Sequence, residues 1–422
     1  MKTTSLNAWH RAHGASMAEF GGYEMPLWYP SGARDEHLAV LTAVGLFDTS
    51  HMAALLVTGP GAFDLLQRCH TRDLGACLEA PALPLDPGRC LYGVFLHEDG
   101  GVLDDAIVYP FAPEVYLAVV NAGMGAAVAE HLRRHRGALE AEVEDLTDRL
   151  GKIDVQGPAA AKVLRSVLAE PEEIFSGMEY FTFKGNFRVG APRSEAVHLT
   201  DGTPVLLSRT GYTGEFGFEL YVDGRHAVSV WEALFAAGKD FDLKSCGLAA
   251  RDSLRAGAVL PLSHQDIGPW PFLHHPWSFA LPYTSDRRGF SKDFVGRTAL
   301  ERVTNPEHTY PFVGFDVRKV SVHDGGAQVL DSSGEAIGTV LSCVSEMGIG
   351  RQGDRIWSVA SPDRPDDFVP HGLACGFVRV RWVLGPGEVV RLRDPKREIP
   401  AEIVRDIRPS RTARVPIRDM LR

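Results

Sequence analysis

The feature that most limits the folds open to this chain is an internal repeat. Leu55-Leu56-Val57-Thr58-Gly59-Pro60-Gly61-Ala62-Phe63-Asp64-Leu65-Leu66 is matched later by Lys152-Ile153-Asp154-Val155-Gln156-Gly157-Pro158-Ala159-Ala160-Ala161-Lys162-Val163-Leu164. Each copy reads as an alternating strand, a Gly-Pro turn, then a helix with apolar residues at helical spacing. Proline suits the first turn of a helix, where its missing N–H leaves no bond unmade. Further strands and a second helix follow each copy. The first half predicts strands at 92–97, 106–111 and 115–120, then a helix through Val128 and Leu132. The second half predicts strands at 205–208 and 215–222, then a helix with Val228, Trp231, Leu234 and Phe235 on one face, ended by Gly238. Strand-helix-strand-strand-helix-strand is the ferredoxin-like order, so the fold class is α+β with two related units. Beyond about Asp293, short strands at 312–317, 328–330, 338–342, 376–383, 388–392 and 401–404 alternate with Gly and Pro turns, as in a small β-barrel or sandwich.

Composition removes several function classes. With 422 residues, 45% hydrophobic and 23% charged, the chain has ample material for two or three packed domains. A net charge of −10 argues against a general nucleic-acid binder. Residues 388–422 are the exception, with ten Lys/Arg against six Asp/Glu, including Arg408, Arg411 and Arg414. They read either as a solvated tail or as a rim for an anionic ligand. Six scattered cysteines (Cys69, Cys77, Cys90, Cys246, Cys343, Cys375) without a Cys-x-x-Cys pair read as reduced thiols. The sixteen histidines show no ligand spacing, so no metal is expected. The N-terminus lacks the apolar stretch of a signal peptide and no run is long enough to span a bilayer, so a soluble, cytoplasmic protein is expected. The Gly-, Arg- and Asp-rich loop 345–367 reads as a solvated insertion.

Chemistry-bearing residues concentrate in a few segments. Ser208-Arg209-Thr210-Gly211-Tyr212-Thr213-Gly214-Glu215-Phe216-Gly217-Phe218-Glu219-Leu220 reads as a tight glycine turn feeding a strand, with Tyr212, Glu215 and Glu219 polar in an apolar setting. A carboxylate and a phenol on a rigid hairpin suit a planar, hydrogen-bonding heterocycle, although a hairpin whose polar groups face water has the same pattern. Three more segments are Gly45-Leu46-Phe47-Asp48-Thr49-Ser50-His51-Met52, Gly100-Gly101-Val102-Leu103-Asp104-Asp105-Ala106-Ile107-Val108-Tyr109 and Gly247-Leu248-Ala249-Ala250-Arg251-Asp252-Ser253-Leu254-Arg255.

These four segments in this order, with Asp293-Phe294-Val295-Gly296-Arg297-Thr298-Ala299-Leu300, resemble the folate-dependent aminomethyltransferase family. That family comprises the glycine cleavage T-protein and its relatives, and the resemblance covers nearly the whole chain. It implies three domains around a central folate cavity: 1–54 with 146–290 as a discontinuous α+β domain, 55–145 as a ferredoxin-like domain, and 291–422 as a β-barrel. It implies tetrahydrofolate as one-carbon acceptor, and as partners a small one-carbon donor and, in the T-protein itself, a lipoylated carrier protein. Of the pair Asp104-Asp105, adjacent on a strand and so facing opposite ways, the second matches the catalytic aspartate. A carboxylate there can orient the attacking nitrogen, stabilise developing positive charge or relay a proton. Glu219 and Arg251 match the pterin-binding positions, a carboxylate for the amino and ring N–H edge and a guanidinium for the carbonyl. Tyr92, Tyr109, Tyr180 and Tyr212 fall where the family lines the cavity, with Met52, Val119 and Asn121 beside them.

One stretch departs from the family. Where the family has Pro, an acidic residue and then Gly-Leu-x-Trp, this chain runs Trp270-Pro271-Phe272-Leu273-His274-His275-Pro276-Trp277. Leu273 replaces the acid, and the segment Leu41-Thr42-Ala43-Val44 lacks an arginine common in the family. With His51 at the substrate end, Trp270, His274, His275 and Trp277 suggest an aromatic donor pocket. That leaves a demethylase of a methylated N-, S- or O-compound as the alternative to aminomethyl transfer. A non-catalytic folate-binding relative that maintains iron–sulfur enzymes carries Lys-Gly-Cys-Tyr-x-Gly-Gln-Glu, and Lys292-Asp293-Phe294-Val295-Gly296-Arg297 stands there instead. The Gly-x-Gly-x-x-Gly of flavin-linked relatives is also absent from the sequence.

Overall fold

The structure, a computed structural model, describes residues 1–75, 87–323 and 326–422, and Cys77 lies outside them. Both copies of the repeat fold as strand, turn and helix: Ala53–Thr58 with Ala62–Cys69, and Leu150–Gln156 with Ala160–Val167. The turn demands glycine in each. Gly59 has φ +108° and Gly157 +126°, and a Cβ would lie 2.5 Å from the Glu140 carbonyl oxygen or 2.6 Å from that of Ala43.

The first unit is an antiparallel sheet in the order Glu142–Asp145, Ala53–Thr58, Val115–Val120, Val102–Ala112, Leu91–Leu96. Its first four strands have the ferredoxin-like order, and Leu91–Leu96 is an added edge. The second unit departs from that plan. Leu150–Gln156 pairs with Gly217–Asp223, which continues to Leu206–Ser208, Thr182–Lys184 and Gly88–Arg89. On the other side of Leu150–Gln156 stands Gly45–Asp48, from before the repeat, antiparallel to it. The strand after the second helix, Lys244–Ser245, is displaced outward and pairs parallel with Gly45–Asp48. In that helix, Ala227–Ala237, Trp231 and Leu234 are buried as expected, but Val228 faces out and Val230 packs inward instead.

The C-terminal region closes a six-stranded antiparallel barrel in the order His308–Gly314, Leu373–Val380, Ala336–Glu346, Ala327–Leu330, Val389–Arg393, Glu398–Ile403. The 345–367 region is more than a solvated insertion. It forms the hairpin Ile349–Gln352 with Arg355–Ser358, anchored by buried Ile349 and Ser358. Arg408 is likewise no rim residue: fully buried, it pairs with Glu215 at 3.1 Å and with Glu346, which His37 also contacts. Burying a guanidinium is tolerable only with such partners, and these tie the tail and the barrel to the 208–220 hairpin. Among the described residues no helix is long and apolar enough to cross a membrane.

The two repeat sheets pack face to face. Ala54, Leu56, Tyr109, Leu117 and Val119 from the first, with Met52 and Ile107 at the margin, meet Leu150, Phe183, Leu206 and Tyr221 around the second. Tyr92, Asp105, Lys152, Asp154 and Glu219 stand on these same inward faces, because side chains two residues apart on a strand share a side.

Candidate active site

Asp105 lies opposite Val94, and Tyr92 opposite Ile107, so Tyr92 and Asp105 stand on one face of the first sheet. Asn121, just beyond Val120, binds both aspartates. Its Nδ2 donates to Asp105 Oδ1 at 2.5 Å and to Asp104 Oδ1 at 2.8 Å, and its backbone N–H donates to Asp104 Oδ2 at 2.8 Å. Asp104 is fully buried and also accepts from Ser263 Oγ at 2.8 Å, with His264 Nε2 3.6 Å away. The hydrogen bond to Asp104 raises the His264 pKa above its ordinary value. Burial, reinforced by the adjacent Asp104 carboxylate, pushes the Asp105 carboxyl up to about 7. The Tyr92 hydroxyl is buried beside Asp105, the carboxylate its O–H faces, and no residue other than Asp105 competes for it among the described residues.

A second cluster faces it from the other sheet. Asp154 lies opposite Glu219, and Lys152 opposite Tyr221. The Lys152 ammonium donates to Asp154 Oδ1 at 2.6 Å, Glu219 Oε1 at 2.7 Å and Thr49 Oγ1 at 3.1 Å. Arg251 Nη1 donates to Asp154 Oδ2 at 2.8 Å, and its guanidinium lies over the Tyr212 ring, 4.9 Å from the centroid. Thr210 Oγ1 donates to Glu219 Oε2 at 2.5 Å, and Tyr109 and Tyr221 approach the same oxygen at 3.4 Å. Two cations and two anions thus compensate one another inside the protein, the condition for burying charge. Although burial acts to raise its pKa, Lys152 and Arg251 hold the Asp154 carboxyl below the usual range.

These partners change the reading of Glu219. A carboxylate meeting a pterin edge needs two free lone pairs side by side, but Lys152 takes one oxygen and three hydroxyls surround the other. Glu219 is 4% exposed. Tyr109 is fully buried and Val119 nearly so, both in the layer between the sheets rather than on an open wall. Met52 borders that layer and stays partly exposed. Tyr212, also partly exposed, donates its hydroxyl to the Pro261 carbonyl, and Tyr180 lies under Arg414, whose guanidinium is 5.0 Å from the ring centroid. His51 is buried near Asp48, Arg251 and Lys152, and burial drives its pKa down to about 4, so the ring is neutral.

The aromatic loop is not assembled as an open donor wall. Trp277 is 1% exposed, donates Nε1 to the Val259 carbonyl at 2.8 Å and meets Phe377 of the barrel edge to face. His275 stacks on Trp277 and meets the Phe272 ring at a tilt, and burial depresses its pKa to about 3. His274 meets His308 at a tilt of 47°, and Trp270 lies under Arg379, both partners being barrel residues. The ring-rich sequence therefore serves mainly to seat the barrel. The backbone of this loop does reach the site's edge: Val102 N–H donates to the Gly268 carbonyl and Phe272 N–H to that of Gly100.

Sequence reasoning missed Lys152, Asp154, Ser263 and His264. The first two carried a signal: charges at alternate positions of a strand that the repeat places in a core. Ser263 and His264 carried none, because they reach Asp104 through a long connection.

A family model described as the GCVT N-terminal domain matches residues 6–271. The aminomethyltransferase of Streptomyces avermitilis is 37% identical over 400 residues, 94% of this chain and 98% of that protein. The chain belongs to the glycine cleavage T-protein, or aminomethyltransferase, family. The Streptomyces coelicolor aminomethyltransferase is also 37% identical, over 83% of this chain and 87% of its own length. The crystal structure of glycine cleavage system aminomethyltransferase T from Bartonella henselae superposes with a TM-score of 0.74 at 27% identity, covering 96% of each chain. The α+β architecture with its terminal barrel, expected from the sequence, is that of this family.

Proposed function

We propose that this enzyme transfers a one-carbon group from a donor to tetrahydrofolate, with Asp105 as the acid–base group. The observation that carries the reading is the Asp105 cluster: a carboxyl poised near neutrality, fixed at one oxygen by Asn121, beside the buried Tyr92 hydroxyl. Tetrahydrofolate supplies, when bound, the amine nitrogen that takes up the one-carbon unit. Asn121 immobilises Asp105 Oδ1, so Oδ2 is the oxygen left to hold or release a proton. Asp104, buried and bonded to Asn121 and Ser263, fixes that arrangement and keeps the Asp105 proton affinity high. Tyr92 places a hydroxyl beside Asp105 where a ligand's polar edge can meet both, and Met52, Tyr212 and Tyr180 offer apolar and aromatic surface. Arg251, anchored by Asp154, has guanidinium N–H groups left for a pterin carbonyl, while Glu219 acts from behind through Lys152.

The donor reading follows the same geometry. The demethylase alternative leaned on an aromatic pocket at 270–277, and those rings are used in packing against the barrel. The reading best supported is therefore aminomethyl transfer from a lipoylated carrier with release of ammonia. Calorimetry with tetrahydrofolate tests the acceptor site: the intact chain binds, and Tyr92→Phe and Arg251→Ala each weaken binding, Arg251→Ala by about 2–5 kcal/mol if it loses a desolvated charged contact. Absence of binding, or unchanged affinity in both variants, refutes the site. Consumption of a small methylated donor by a chain inert toward the lipoyl donor would replace the aminomethyl reading.

A further inference from the structure

A cluster on the outer side of the first sheet, away from the Asp105 site, has the composition of a metal centre. Cys69 is the last residue of helix Ala62–Cys69, and His131 and His135 lie four residues apart on the facing helix Gly125–His135. Spacing of four puts both rings on one helix face. The Cys69 sulfur and one nitrogen from each ring all lie within 4.8 Å of one another. The histidine rings are 4.4 Å apart, inclined at 47°. Reading histidines along the sequence passed over this pair, because the third ligand is far away in the chain and adjacent only in the fold.

Two further observations point to a ligand. His131 Nε2 is buried and has no hydrogen-bond partner among the described residues, in a side chain that belongs to a residue 8% exposed. Leaving such a nitrogen unpaired is costly unless something outside the protein pairs with it. His135 Nδ1 lies 2.9 Å from the His131 carbonyl oxygen. A carbonyl only accepts, so Nδ1 carries the proton, and in the neutral ring Nε2 is the nitrogen whose lone pair is free for a metal. That Nε2 stands 3.4 Å from Glu98 Oε1, an oxygen that Arg134 also reaches at 3.1 Å, so a carboxylate is at hand beside the cluster.

We propose that Cys69, His131 and His135 bind one zinc ion, with Glu98 or water as the fourth ligand. One thiolate and two imidazoles make a borderline-soft donor set, which suits Zn²⁺ over Mg²⁺ or Ca²⁺. Tetrahedral zinc wants ligand atoms about 3.3–3.6 Å apart, so closure needs movement of about 1 Å, within rotamer adjustment of three side chains. Binding forms a Zn–S bond and two Zn–N bonds and releases the Cys69 thiol proton to solvent. The ion would staple the two helices to each other and, through Glu98, to the turn that leads into Gly100-Gly101 and the Asp104-Asp105 strand.

The test uses the full chain, stripped with chelator under reducing conditions. Calorimetric titration with zinc in buffers of different ionisation enthalpy should give one ion per chain and release of about one proton. Cobalt substitution should give a thiolate-to-metal charge-transfer band that Cys69→Ser abolishes. His135→Gln, at the cluster's solvent edge, should weaken zinc binding at least 10²-fold while the circular dichroism stays native, and this arm stands even if the cysteine variant misfolds. Zinc affinity equal in the intact and His135→Gln chains, cobalt bound without the sulfur band, or no stoichiometric binding overturns the proposal.

Discussion

Lys152→Met tests whether the buried charge quartet is a real structural unit. Methionine keeps the length and removes the ammonium with its three donations, to Asp154, Glu219 and Thr49. Asp154 keeps Arg251 and Thr49 as partners. Glu219 keeps only the neutral donors Thr210, Tyr109 and Tyr221, in a site that is 4% exposed. Stranding one member of a buried pair costs about 3–5 kcal/mol. At roughly 2–4 °C per kcal/mol for domains of this size, the melting temperature falls by about 6–20 °C. In the double variant Lys152→Met/Glu219→Gln no charge is stranded, so it should be more stable than Lys152→Met alone. The coupling should fall within the 0.5–3 kcal/mol typical of residues in contact. Urea midpoints at constant m-value measure all three variants. A loss below about 1 kcal/mol in the single variant, or additive losses in the double, would refute the reasoning.

Three other outcomes follow from the structure. Asp105→Asn should leave tetrahydrofolate affinity nearly intact and lower turnover roughly 10²–10⁴-fold. In the parent chain, turnover should rise through about pH 7 as Asp105 ionises, and the Asn variant should lose that limb. Glu346 is held at about 2 by His37 and Arg408 despite burial that acts to raise it, so its stabilising contribution is present above the unfolded value near 4.3 and is lost as pH falls from about 4 to 2. Acid denaturation of Glu346→Gln should accordingly be flatter across that window. Gly157→Ala forces a Cβ against the Ala43 and Val40 carbonyl oxygens at a positive φ, and it should cost more than the roughly 1 kcal/mol of an ordinary glycine replacement, read from the same urea midpoints.

The repeat was legible because strand and helix periods are local, and Gly59 and Gly157 mark its turns in the sequence itself. The insertion of Gly45–Asp48 beside Leu150–Gln156 was not legible, because sheet order depends on which edge is free when the chain closes, and no local period records that. The Asp104-Asp105 and Tyr92 neighbourhood followed from motifs, whereas the internal neutralisation of Glu219 depends on a cross-strand neighbour, Lys152, whose charge was visible but whose facing was not. Trp277 and His275 were misread for the opposite reason: clustered rings announce burial, and only the barrel's position decides whether they line a pocket or fill an interface. Arg408 shows the same limit, a surface-like basic residue in sequence that becomes the buried tie between Glu215 and Glu346.

The most direct measurement is ammonia release from an aminomethyl-loaded lipoyl carrier, with and without tetrahydrofolate, by the intact chain and by Asp105→Asn. Release should depend strongly on tetrahydrofolate and fall at least 10²-fold in the variant, with its folate affinity retained. Release that is indifferent to tetrahydrofolate, or undiminished in Asp105→Asn, would contradict the proposed function.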